Sequence, residues 1–374
     1  MSTLYTIEAG DQFGYAIAAL GDLNGDGISD LAVGASNDDD DDGGASAGSV
    51  YLFFLGSDGI VKSAQKLSML YGNFNSFYTL AADDRFGLTV IPLGDVQGDD
   101  VVELAVGAGL DDDGGSYAGA AYILFLETDG VIKNAQKLSA LYGNFNTFYN
   151  LVANDIFGRS IAALNDVDGD SVVDMAVGAV YDTDGGSRAG AVYFLFLETD
   201  GTCKSVQKIS NLYGNLNTYY TLTASDHFSV SMASLQDLDG DSVIDLAVGA
   251  YQDDDGGTNA GAMYILFLDT DGTVKGAQKL SNTYGSFNSY YTLSASVLFG
   301  SGVAALGDID GDGVMDLWLL VSTKTTMEVL LRAQCTQCFS IVMGPLRMLK
   351  RCPTITVIST RFTQSTQMID LARL

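Results

Sequence analysis

Five short stretches of this chain place oxygen ligands at alternate positions of a tight turn. They read DLNGDGISD (22–30), DVQGDDVVE (95–103), DVDGDSVVD (166–174), DLDGDSVID (237–245) and DIDGDGVMD (308–316). Side-chain oxygens fall at positions 1, 3, 5 and 9, and position 7 can offer its backbone carbonyl. The candidate metal ligands are therefore Asp22, Asn24, Asp26, Ile28 and Asp30 in loop one, and Asp95, Gln97, Asp99, Val101 and Glu103 in loop two. Loop three supplies Asp166, Asp168, Asp170, Val172 and Asp174; loop four supplies Asp237, Asp239, Asp241, Val243 and Asp245. Loop five supplies Asp308, Asp310, Asp312, Val314 and Asp316. Six to eight hard oxygens in a flexible shell is what Ca2+ requires. Loops three to five, with four ligating carboxylates each, are expected to bind best, and loop two, with Gln97 and an extra Asp100, least well.

These loops are positioned by a repeat. Phe13-Gly14, Phe86-Gly87, Phe157-Gly158, Phe228-Ser229 and Phe299-Gly300 are spaced by 73, 71, 71 and 71 residues, and the acidic loops keep the same spacing. The predicted organisation is the end of a preceding repeat (1–10), complete repeats at 11–83, 84–154, 155–225 and 226–296, and a partial one at 297–317. Tyr5-Thr6-Ile7 aligns with Tyr78-Thr79-Leu80 of the next repeat, so the chain starts within a unit. Each unit reads as four short strands: one after Phe-Gly, then LAVGA, a continuous apolar run such as AVYFLFL, and a lysine-bearing segment such as VKSAQKL. Apolar runs of that length suit strands buried on both faces. Lysine pairs on the outermost strand (Lys62/Lys66, Lys133/Lys137, Lys204/Lys208, Lys275/Lys279) are expected to guard the sheet edge. Four-stranded units repeated about an axis make an all-β propeller.

The Phe-Gly pair, the DxDGDGxxD-type loop, LAVGA and the GxVYLF-like strand together resemble the FG-GAP repeats of the integrin α-chain propeller, over residues 11–317. The resemblance implies a calcium-stabilised propeller, extracellular or at the cell surface, that serves adhesion or binds a protein or glycan ligand rather than catalysing a reaction. It implies the loop residues above as calcium ligands. The sequence departs from the family where Ser36, Gly109, Val180 and Tyr251 follow Gly-Ala in place of proline, and where Ser229 replaces a glycine. Integrin propellers have seven blades; four and a fraction are encoded in this reading, which suggests part of a larger propeller.

Charge narrows the partners. The chain carries 47 acidic against 18 basic residues, a formal charge of −29, which repels phosphate backbones and disfavours nucleic acid. No apolar run reaches the roughly 18 residues of a membrane span, and the N-terminus has no signal-peptide pattern. The single histidine, His227, aligns with Arg85 and reads as an exposed, variable loop position; Cys203 aligns with no other cysteine. Aspartates could serve glycoside hydrolysis, yet equivalent copies in every repeat favour a non-enzymatic role. Two other readings stay open: a calcium-dependent structural or surface-layer component, and a sugar or cationic segment bound at Asp38–Asp42, Asp111–Asp113, Asp182/Asp184 and Asp253–Asp255 beside the aromatic connections.

Residues 318–374 depart from this pattern, with seven basic and two acidic residues, three of the four cysteines and the only tryptophan. They read as the fifth repeat in a shifted frame. Allowed codons for Lys324–Val329, read from each third base, give Asp-Asp-Asp-Gly-Gly in register with Asp253–Gly257. Those for 345–351 give Val-Lys-Asn-Ala-Gln-Lys. Met327-Glu328 and Met343-Gly344 force glycine where glycine belongs. A poorly ordered tail without blade-like pairing is the expectation.

Overall fold

The computed structural model describes residues 5–39, 44–308, 315–322, 326–330 and 362–363. Its strands form five four-stranded antiparallel sheets, each taking its strands in chain order. Blade three is representative: Phe157–Asn165, Asp174–Ala179, Ala191–Leu197 and Cys203–Ile209. The first strands lie innermost, each packing on the first strand of the next blade. This is the propeller arrangement that the repeat predicts.

The core is divided accordingly. Among the described residues, four clusters of buried apolar side chains lie between consecutive blades, not at one centre. In blades two, three and four the third strand is apolar along its length because each of its faces packs on a different blade. The connection after the fourth strand seals the seam. In blade one it makes a 3-10 turn, Phe74–Ser76, and Phe74 sits 5.0 Å from Phe86 and 5.5 Å from Tyr122 of blade two. Phe145 repeats this on Phe157 and Tyr193.

The glycine of LAVGA has a specific cause. A Cβ on Gly107 would stand 2.1 Å from the carbonyl oxygen of Gly158, and one on Gly34 would stand 2.0 Å from that of Gly87. The backbone of each Phe-Gly pair lies against the second strand of the preceding blade, so the two motifs recur together because they touch. Ser229 tolerates the same backbone at φ 76°.

Two expectations change. Strand pairing continues past Leu317: Asp316–Ser322 pairs with Phe299–Gly307, and Thr326–Leu330 pairs with Asp316–Ser322, in the order of the other blades. The apolar run Trp318-Leu319-Leu320-Val321 keeps β-forming character, and backbone pairing does not require LAVGA itself. Of the shifted-frame segment, residues 331–361 and 364–374 lie outside the described residues. Ligands Asp310, Asp312 and Val314 of loop five also lie outside them.

The second change concerns the lysines. Lys66, Lys137, Lys208 and Lys279 are buried rather than guarding an edge.

Candidate metal centres and the opposite end of the blades

The acidic loops connect first to second strands and share one end of the propeller. Their first residue shapes the turn. Asp166 accepts backbone N–H groups of Gly169 (2.7 Å), Asp170 (3.0 Å) and Ser171 (2.8 Å). Asp237 and Asp95 repeat the pattern in loops four and two. Asp22 accepts from Asp26 and Gly27. Glycine at position 4 takes a left-handed φ in four loops (77° at Gly25, 74° at Gly98, 83° at Gly169, 86° at Gly240), where other residues are strained. The fifth residue accepts the N–H of the seventh, as Asp170 does from Val172 at 2.9 Å, leaving the carbonyl of position 7 available.

The ninth residue anchors the loop to the blade. Asp174 is buried and accepts N–H groups from Val167 (2.9 Å) and from Leu197 at the end of the third strand (3.1 Å). Asp245 does the same with Leu238 and Leu268, and Asp30 with Leu23 and Leu55. Burial pushes Asp174, Asp245 and Glu103 up to about 7, and the neighbouring loop aspartates add to the shift in each.

Ligand oxygens converge in three loops. Among the described residues, Asp95/Asp99/Glu103, Asp166/Asp168/Asp174 and Asp237/Asp239/Asp245 each bring carboxylate oxygens within 4.8 Å of one another. Loop two, ranked weakest from its sequence, gathers three acids as the others do. Loop one holds Asn24 at the third position, where loops three and four hold Asp168 and Asp239.

Cations already stand at these centres. The Lys204 ammonium bridges Asp168 (2.6 Å) and Asp170 (2.5 Å). Lys275 bridges Asp239 and Asp241, and Lys133 reaches Asp99. In loop one the equivalent Lys62 pairs with Asp58 instead. The chemistry of the donor set, hard oxygens gathered in one tight turn with an ammonium against one or two of them, fits Ca2+.

The loops after second and fourth strands gather at the other end, where the acids behave differently. Asp111 and Asp113 both pair with the buried Lys137, at 2.7 and 2.5 Å. Tyr122 donates its hydroxyl to Asp111 at 3.2 Å, and Lys137 lies over the rings of Tyr122 and Tyr142. Blades three and four repeat this with Lys208, Asp182, Asp184, Tyr193 and with Lys279, Asp253, Asp255, Tyr264. In blade one Lys66 pairs with Asp38 at 3.1 Å. Nearby carboxylates also hold Lys137, Lys208 and Lys279 above their usual range despite burial. Of the aspartates considered as a sugar or cation site, Asp38, Asp111, Asp113, Asp182, Asp184, Asp253 and Asp255 are therefore matched by lysine. Asp39, Asp112 and Asp254 are exposed, and residues 40–42 lie outside the described residues.

A further registered acid escaped the sequence reading. Asp84, Asp155 and Asp226, two residues before each Phe, are buried and each accepts one backbone N–H, from Ala81, Val152 and Thr223. Burial, with Asp111, Asp182 or Asp253 close by, raises them to about 7, 7 and 6. Their signal was present: Asp11, Asp84, Asp155 and Asp226 hold one register position.

His227 is also corrected. It is 3 % exposed, between Tyr181 (ring centroids 4.9 Å) and Tyr251 (5.1 Å). Cys203 is buried, and its thiol is pushed up to about 12.

Parts of the chain are similar to known proteins. Residues 13–53 match the FG-GAP repeat. The first unit thus carries the FG-GAP match. The chain is 29 % identical over 175 residues to integrin alpha-PS5 of Drosophila melanogaster and 32 % identical over 175 residues to integrin alpha ina-1 of Caenorhabditis elegans. In both cases the match covers 46 % of this chain and 15 % of the relative. A crystal structure of BBS1N in complex with ARL6DN aligns over 81 % of this chain and 60 % of that one, with 11 % identity and a TM-score of 0.36. Over about half of its length the chain is similar to integrin α chains. No helix among the described residues is long and apolar enough to cross a membrane.

Proposed function

We propose that this FG-GAP propeller is a calcium-binding, non-catalytic module for adhesion, acting outside the cell or at its surface through a protein ligand. The observation that carries the calcium reading is the convergence of carboxylate oxygens in three registered loops. The similarity to integrin α chains supports the adhesive role.

In this reading Asp166, Asp168, Asp170 and Asp174 hold Ca2+ in loop three with the Val172 carbonyl. Asp237, Asp239, Asp241 and Asp245 do so in loop four with Val243, and Asp95, Asp99 and Glu103 in loop two with Gln97 and Val101. Loops one (Asp22, Asn24, Asp26, Ile28, Asp30) and five (Asp308, Asp310, Asp312, Val314, Asp316) complete the set. Bound calcium supplies a fixed double positive charge, drawing together acids that otherwise repel. Asp174 transmits that order to the blade through the N–H of Leu197, and Lys204 leaves its two carboxylates. The same acids recur in blade after blade, which suits a scaffold better than a single active site.

Calorimetric titration of Ca2+ into the chain tests the metal, with three or more sites expected. An array of extracellular proteins, probed in calcium and in chelator, tests adhesion. No heat of binding would overturn the first part, and no captured ligand the second.

A further inference from the structure

Loop one departs from its copies in two respects that meet at one bond. Its third position is Asn24, followed by Gly25, the single Asn-Gly pair in the chain. Loops three and four hold Asp168 and Asp239 there, and both belong to the converging carboxylate groups. Among the described residues loop one forms no such group, and its lysine, Lys62, pairs with Asp58 rather than with the loop. The acid that completes the set in loops three and four is the one that loop one lacks.

The second respect is the backbone. In the other loops the fourth-position glycine donates its N–H to the first aspartate: Gly98 to Asp95 at 2.6 Å, Gly169 to Asp166 at 2.7 Å and Gly240 to Asp237 at 2.6 Å. In loop one Asp22 receives Asp26 and Gly27 instead, and among the described residues the N–H of Gly25 has no acceptor. Gly25 is exposed, and a Cβ built on it would meet nothing within 4 Å, so nothing shields its nitrogen. Beside it Asn24 is half-buried, and its Oδ1 accepts the N–H of Asp26 at 2.9 Å. That bond draws electrons from Cγ and makes it a better electrophile.

We propose that Asn24 is a self-modification site, where spontaneous deamidation leaves an aspartate and gives loop one its fourth ligating carboxylate. The Gly25 nitrogen yields its proton to solvent and attacks Asn24 Cγ, closing a five-membered succinimide; Nδ2 takes up a proton and leaves as ammonia. Water then adds to Cγ and breaks the new C–N bond, which restores the Gly25 N–H. One water is consumed, one ammonia is released, and nothing is oxidised or reduced. Reopening at the backbone carbonyl instead would carry the chain through Cγ and lengthen the turn by one atom. The ends of this turn are fixed, by Leu23 and Leu55 on Asp30 and by Asp26 and Gly27 on Asp22, so the fold favours the aspartate. With Asp22, Asp26 and Asp30 it makes the set of four that loops three and four carry. The gain of a metal site rests on the calcium reading above; the deamidation does not.

The test incubates the full chain in chelator at neutral pH, then digests it and separates the peptides by mass spectrometry, resolving aspartate from its β-linked isomer. The peptide holding Asn24 should exchange an amino group for a hydroxyl about tenfold faster than those holding Asn73, Asn144 and Asn215, whose next residues carry the side chains that glycine lacks. Aspartate should be the main product in the folded chain, and the β-linked isomer in urea, where the turn is gone. Asn24→Gln, which would need a larger ring, should keep its mass. Asn24→Asp should tighten loop one about tenfold in calcium titration, because ligand charge count sets affinity. Equal rates at Asn24 and Asn73, a β-linked main product in the folded chain, or unchanged calcium binding in Asn24→Asp would each overturn the proposal. The first two readouts use the unaltered chain, so they decide even if a variant fails to fold. A chain that binds no calcium in any loop would overturn the metal reading and the gain of a site with it, while the mass measurement still decides the modification.

Discussion

The two ends of each blade hold aspartates in comparable density and neutralise them by opposite means. At one end Asp182 and Asp184 pair with Lys208, which is buried, covered by Tyr193 and Tyr213, and built into the fourth strand. At the other end Asp168 and Asp170 meet Lys204, which is over a third exposed at the start of the fourth strand. Both lysines come from one strand, four residues apart. A buried cation among carboxylates is permanent, because removing it strands charge in low dielectric. An exposed one is exchangeable, so a divalent ion can displace it.

The sharpest way to break this contrast is Lys208→Met. It leaves Asp182 and Asp184 without their cation, and a loss of about 3–5 kcal/mol in urea unfolding is expected; a loss below about 1 kcal/mol would refute the permanent role. Close in size is metal removal. At calcium tenfold above Kd each site contributes about 1.4 kcal/mol, so three sites contribute about 4 kcal/mol if independent. Chelator should lower the unfolding free energy by that margin, and Tm with it, and Asp168→Asn with Asp170→Asn should remove about a third of the effect. An unchanged melting curve would leave the acidic loops with no metal.

A pH series sharpens the comparison further. Asp84, Asp155, Asp174, Asp245 and Glu103 are raised to about 7 from the ordinary carboxylate range. The folded chain thus binds more protons than the unfolded one between roughly pH 4 and 7. Metal-free protein should accordingly melt at higher temperature at pH 5.5 than at pH 7.5, while calcium affinity falls over the same descent as protons compete at Asp174, Asp245 and Glu103. A Tm that rises with pH in chelator would contradict the burial of these acids. The smallest effect is expected for Lys204→Gln: little change in metal-free Tm, since exposed pairs contribute little, but severalfold tighter calcium by titration. Weaker calcium would mean that Lys204 supports the loop instead of competing for it.

The repeat, the four strands of each unit and the ligand spacing of the acidic loops were all legible in the sequence. Phe-Gly and LAVGA recur in register because blades touch their neighbours at the same atoms. The acidic loop recurs because its ninth residue anchors each turn to its own blade, and a local motif repeated five times leaves little ambiguity. Tertiary structure decided the rest, for reasons of distance and burial. Lys137 and Asp111 are 26 residues apart, and their spacing along the chain says nothing of a shared interior. A strand-edge lysine and a buried one have the same letter, and which it is depends on whether Tyr122 and Tyr142 close over it. Likewise His227 is a variable loop residue by alignment, and only the approach of Tyr181 from one blade and Tyr251 from the next makes it interior. Sequence specified the unit; the packing of one unit on another set the environment of its charges, because burial and counterion both come from the neighbouring strand or blade.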